Sequence, residues 1–109
     1  MTRLLSTLLQ RITVVGDSMA PTYRDGDRLT AVRRWRPVRV GDVVVVADPR
    51  DPTRPLLKRC VVREGGRLDL RGDNAAASTD SRDFGLVAAR RVRWLVPRRQ
   101  AQVSNQGHR

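Results

Sequence analysis

Three features of the 109-residue sequence predict an all-β fold in a single compact domain of short antiparallel strands. Val and Leu occur in short runs without a sustained helical repeat. Gly-Asp dipeptides recur between those runs, where Gly takes positive φ and Asp bonds back to the local backbone. The length suits one domain, with room for a single small core built on aliphatic side chains. The aromatic residues are few: Tyr23, Trp35, Phe84 and Trp94.

In chain order, residues 1–11 form a short amphipathic segment. Leu4, Leu5, Leu8, Leu9 and Ile12 share one helical face and predict a short helix packed on the domain. Crossing a bilayer takes about 20 apolar residues, and Arg3, Gln10 and Arg11 interrupt a much shorter run. The strands follow within a domain spanning 12–97: ITVV before Gly16-Asp17, RLTAV after Gly26-Asp27, VVVVA after Gly41-Asp42, and a long strand LLKRCVVRE. Gly65-Gly66 turns that strand into RLDLR, and RVRWLV is the last strand. Pro49 to Pro55 reads as an exposed proline-rich loop. Residues 98–109 lack periodicity and predict a disordered basic tail.

Composition excludes several functions. The net charge is +11, from 22 basic residues against 11 acidic ones. The basic residues are interleaved with Asp along the chain, without stacking platforms or a helix-turn-helix pattern, so no nucleic-acid partner is expected. Cys60 is the single cysteine, which rules out an internal disulfide, and it sits in an apolar run as a small buried hydrophobe. The single histidine, His108, is one residue from the C-terminus, far from any packed region that a Ser–His–Asp triad or zinc site requires. No metal and no cofactor is expected.

Two elements carry chemistry. Of the 22 basic residues, 21 are Arg and only Lys58 is Lys. Lys can lose its proton when buried and Arg effectively cannot. In the run PLLKRCVV, desolvation would lower the Lys58 pKa and leave a neutral amine able to act as a base. A lone lysine on a solvated strand face is the competing reading, and the residue alone does not decide between them. The second element is VVGDSMAPTYRDGD. There Ser18 lies at a strand-to-turn transition that can hold a hydroxyl outward with its own N–H aimed at a carbonyl oxygen. A turn closed by a serine cap is the structural alternative.

Three segments carry a resemblance. GDSMAPT (16–22) with Asp25-Gly26-Asp27 resembles the nucleophile box of bacterial type I signal peptidases. RVGDVVVVADPR followed by LLKRCVV resembles their general-base box. RGDNAAASTDSRDFG (71–85) is similar to their third box. The boxes stand in family order between about Val14 and Val96. The resemblance implies a serine endopeptidase with a Ser/Lys dyad: Ser18 attacks the scissile carbonyl and Lys58 takes its proton. Ser78 orients the lysine amine, and Asp80 and Arg82 form a bracing ion pair. The Ser18 backbone N–H serves the oxyanion, and Met19, Leu57 and Val14 line a pocket for a small side chain. Gly16 stands where some relatives place a serine that supplies a second oxyanion donor. For Asp73 and Asn74, turn formation is as good a reading as any catalytic role.

The implied partner is a precursor protein bound as an extended leader peptide. With neither an anchoring helix nor a large second β-domain, the chain resembles a minimal core, cytoplasmic or at most peripheral at a membrane. That leans toward the proteases that mature nickel superoxide dismutase. The alternative is a signal peptidase whose anchor is missing or supplied by a partner. Two other classes are weaker. Self-cleaving SOS repressor domains cut at an Ala-Gly bond that this chain lacks, and a non-catalytic basic binding module leaves Ser18, Lys58 and Ser78 unexplained.

Overall fold

The computed structural model describes residues 7–98. Leu4, Leu5 and the first six residues of the predicted helix lie outside that range, as do His108 and the predicted tail after Arg98. The described chain forms a seven-stranded antiparallel sheet: β1 (Leu9–Thr13), β2 (Arg28–Arg33), β3 (Val43–Asp48), β4 (Asp51–Glu64), β5 (Arg67–Arg71), β6 (Val87–Ala88) and β7 (Trp94–Val96). An α-helical turn, α1 (Ser81–Phe84), and 3₁₀ turns at Ala75–Ala77 and Ala89–Arg91 complete it, and Thr7 and Leu8 ahead of β1 are also helical.

Two hairpin systems arise directly from the turns. β1 pairs with β2, and β3, β4 and β5 form a meander. Gly65, at φ +58, lies in the two-residue β4–β5 turn, a backbone conformation that favours glycine. β7 then inserts between β2 and β3, giving the order β1-β2-β7-β3-β4-β5-β6. Leu95 faces Val32 on one side and Val44 on the other, so three residues join the two systems.

The pleat divides the core. On β3 and β4, Val44, Val46, Leu56 and Cys60 join Leu68, Leu70, Val87 and Val92 in one buried cluster. Val43 joins Val14, Met19, Tyr23, Leu29, Ala31 and Val96 in the other. Each cluster thus takes alternate residues of the same strands.

The structure corrects the sequence reading in three places. Leu9–Thr13 is a strand in register with β2, not part of a helix, because Gln10, Arg11 and Ile12 find ladder partners in Ala31, Thr30 and Leu29. Leu8 and Leu9 are exposed. The segment from Asp51 to Pro55 is exposed as expected but extends β4 rather than looping. Pro55 pairs with Ala47 across a register shift near Asp48, which tolerates a residue lacking an N–H. The last strand is shorter than RVRWLV, since Ala89–Arg91 closes a 3₁₀ turn first.

Candidate active site

Lys58 lies on β4, an interior strand between β3 and β5. Along Leu56–Cys60 the even positions Leu56, Lys58 and Cys60 are buried while Leu57 and Arg59 are half-buried, the alternation of a pleated strand. The register that buries Leu56 and Cys60 therefore buries the lysine between them, at 3% exposure. Burial lowers its pKa from the usual lysine value. The charge of Asp80 opposes this, and the cations Arg54 and Arg82 reinforce it. A solvated strand face is excluded for this lysine.

The amine is held by a short relay. Lys58 Nζ donates to Ser78 Oγ at 2.9 Å, and Ser78 Oγ donates to Asp80 Oδ2 at 2.8 Å. Asp80 is fully buried, and it also accepts from the Gly72 N–H at 2.9 Å and from two guanidinium nitrogens of Arg82. Burial alone would raise the Asp80 pKa. The hydrogen bonds from Arg82, Gly72 and Ser78 outweigh it and hold the carboxyl well below the usual carboxylate range. Local sequence explains the position of this aspartate. Asp80 is the N-cap of α1 in a capping box: its side chain accepts from the Arg82 N–H, and Asp83 accepts from the Asp80 N–H at 3.0 Å.

Ser18 sits in the turn between β1 and β2. Its carbonyl accepts from the Asn74 N–H at 2.9 Å, and the Asn74 side-chain amide donates to Asp17 O at 3.1 Å. Among the described residues no acceptor takes up the Ser18 N–H, and the lysine's hydrogen bond goes to Ser78 rather than to Ser18. The Gly16 N–H is already occupied, donating to Asp25 Oδ1 at 2.7 Å. Gly16 has φ +83, so a side chain there would strain the turn.

Gly72 joins the two parts. A Cβ on this buried residue would collide with the Ser78 hydroxyl and lie 2.5 Å from the Ser18 carbonyl oxygen. Its lack of a side chain lets the serine turn and the lysine's support close on one point. Next to it, Asp73 accepts from Thr22 Oγ1 at 2.6 Å and from Arg59 Nε and Nη2, both at 2.9 Å. Arg59 also donates to Gly41 O at 2.8 Å. Burial opposes ionisation of Asp73, but the Arg59 and Thr22 hydrogen bonds lower its pKa.

The structure thus brings Lys58, Ser78, Asp80 and Arg82 into one hydrogen-bonded group and sets the Ser18 backbone beside it across Gly72. Met19 and Val14 are core residues, at 1% and 6% exposure, and half-buried Leu57 packs against their cluster. Sequence reading missed the structural parts of Gly72, Arg59, Asp73 and Asn74. For Gly72, Asp73 and Asn74 the signal was present in the Gly-Asp-Asn run near the start of the third box, six residues before Asp80.

A family model described as signal peptidase, peptidase S26, matches residues 1–71. The chain belongs to that family. Relatives within reach are proteases of mitochondrial inner membranes. The chain is 38% identical over 100 residues to the mitochondrial ATP-independent inner membrane protease subunit 1a of Arabidopsis thaliana, covering 68% of this chain and 60% of that protein. It is 30% identical over 104 residues to the human mitochondrial inner membrane protease subunit 1, covering 74% and 63%. For the Schizosaccharomyces pombe subunit 1 the identity is 34% over 95 residues, covering 66% and 60%. The chain spans about 60% of the length of the curated relatives it matches.

The matched family is described as a peptidase family and the relatives are named as protease subunits. The lean toward nickel superoxide dismutase maturation gains no support from these relatives, and leader processing of the signal-peptidase kind is better supported. A cytoplasmic location is not shown either. Among the described residues no helix is long and apolar enough to cross a membrane. Ser78 to Arg82 lie beyond the matched residues, so their placement rests on the geometry above.

Proposed function

We propose that this chain is the catalytic core of a serine endopeptidase that removes N-terminal leader peptides, with Ser18 as nucleophile and Lys58 as general base. One observation carries the reading: the only lysine of the chain is 3% exposed, its amine tied to the Ser78 hydroxyl and its pKa lowered by burial. A neutral amine that donates to Ser78 keeps its lone pair for the Ser18 proton.

The steps follow. Ser18 Oγ attacks the scissile carbonyl as Lys58 takes its proton. The oxyanion accepts from the Ser18 N–H, and because the Gly16 N–H is engaged by Asp25, a second donor has to come from another group. Lys58 then protonates the leaving amine, and the resulting ester is hydrolysed by a water that Lys58 deprotonates. Throughout, Asp80 steadies the transient ammonium through Ser78. Leu57, with Met19 and Val14 behind it, forms the wall for a small side chain, and the leader pairs in extended form with strands beside the site. The substrate is a precursor presented at a membrane surface, a reading supported by the names of the relatives.

Intact-mass analysis of precursors incubated with the purified chain tests this. A precursor bearing a secretory-type leader is expected to be cut once, and one bearing a nickel superoxide dismutase leader to remain whole. Ser18→Ala and Lys58→Arg should each lower the rate by about 10⁴-fold, because guanidinium cannot serve as the base. Normal cleavage by Lys58→Arg would end the Ser/Lys assignment.

A further inference from the structure

A second feature lies apart from Lys58 and Ser78. A cavity of about 310 Å³ opens between the β2–β3 connection and the end of β7. Its lining is strongly cationic. Arg36 is paired with Asp42, and Arg59 with Asp73. Arg39 and Arg98 also line it, and neither side chain has an ion-pair partner among the described residues. The same cavity carries two large exposed apolar side chains, Trp35 at 64% exposure and Val40 at 63%. The Arg36 guanidinium lies over the Trp35 ring, 5.4 Å from its centre.

Two guanidiniums without an ion-pair partner among the described residues suit a phosphate ester, since Arg binds phosphate through its planar fork. An exposed Trp next to those cations has an apolar body and a polar edge, the combination suited to a headgroup boundary. A second cavity, lined by Val46, Ala47, Arg90, Arg91 and Arg93, shares the charge but has no aromatic residue. We infer that the Arg39–Arg98 cavity is a docking site for the phosphate headgroup of an anionic phospholipid, with Trp35 and Val40 entering the interface. The site depends on neither Ser18 nor Lys58, so it stands or falls separately from the catalytic reading.

Co-sedimentation of the full chain with vesicles tests it. Vesicles of phosphatidylcholine alone are compared with vesicles containing phosphatidylglycerol, and Trp fluorescence is read with brominated lipid as quencher. The expected result is binding to the phosphatidylglycerol vesicles only. It should be weakened about thirtyfold in Arg39→Gln/Arg98→Gln, the worth of two arginines near an anionic surface. Trp35→Ala should weaken it and remove most of the quenching. Arg90→Gln/Arg91→Gln carries the same charge change at the second cavity and should weaken binding much less. Circular dichroism melting of each variant confirms that it is folded. Equal losses in both arginine pairs would reduce the effect to diffuse charge and overturn the site. So would an absence of vesicle binding. Inorganic phosphate binding as tightly as the vesicles, with Trp35→Ala neutral, would make it a free-phosphate site and overturn the lipid assignment.

Discussion

The base half and the serine half of the site are held in different ways. Lys58 is fixed by sheet register and by a fully buried aspartate, which in turn is fixed by a helix cap. Ser18 sits in a turn pinned by Asn74, which donates to Ser18 O and Asp17 O, and by the Thr22 hydroxyl's bond to Asp73, which Arg59 in turn holds, at a more exposed position. Each half has its own bidentate Arg–Asp pair, and the pairs differ in burial. Asp80 is wholly inside with Arg82 at the surface, whereas the Asp73 and Arg59 side chains retain 17% and 28% exposure. The difference fits the proposed roles. A base needs a dry, invariant environment to hold a lowered pKa. A nucleophile turn needs only its carbonyl, its N–H and its hydroxyl aimed at a substrate that arrives from solvent.

The largest break in that comparison should come from Asp80→Ala. It strands the Gly72 N–H and the Ser78 hydroxyl and frees Lys58 from its relay. We expect a loss of about 3–5 kcal/mol in urea unfolding, with turnover falling alongside. A loss below about 1 kcal/mol would mean that the base half is not built on Asp80.

Gly72→Ala strikes both halves at once. The new methyl forces apart the Ser18 carbonyl and the Ser78 hydroxyl. Turnover should drop by about 10²-fold, with a stability loss of about 1–3 kcal/mol. Unchanged kinetics would show that the two halves move independently.

Asp73→Asn probes the serine half alone. It weakens the Arg59 clamp and the Thr22 bond, and should cost about 1–2 kcal/mol in thermal melting because the pair is partly exposed. A cost equal to that of Asp80→Ala would erase the contrast between the two halves.

The pH dependence gives the smallest and sharpest signal. The folded Lys58 binds its proton less readily than the unfolded chain does, so between its lowered pKa and the ordinary lysine value the unfolded state holds more protons. Stability should therefore rise with pH across that window. Asp80 contributes a slope of the same sign, in the acid range below the ordinary aspartate pKa. Its stabilisation is full above the ordinary aspartate pKa and is lost as pH falls through its lowered value. Cleavage should rise with pH as Lys58 loses its proton. In Ser78→Ala the rate plateau should fall by about tenfold, and the midpoint of the rise should move. A profile unchanged by Ser78→Ala would remove that serine from the relay.

Much of this molecule was legible in the chain. Gly-Asp pairs flank β1, β2 and β3, Gly65-Gly66 turns β4 into β5, the Val and Leu runs set the strands, and the solitary Lys58 stood out in an Arg-rich sequence. Those signals are local, or rest on one residue type, and a linear reading suffices for them. Three things needed the tertiary structure. Leu9–Thr13 became a strand because β2 offered it a partner, which outweighed a helical spacing of leucines. Whether Lys58 was buried or solvated depended on which face β4 turned inward, and that was set by its register with β3 and β5. The convergence of Ser18, Ser78 and Gly72 depends on contacts across more than fifty positions of chain. Turn chemistry and residue type are written in the sequence, but side-chain burial and close approach are properties of pairs of segments, and only folding decides which pairs meet.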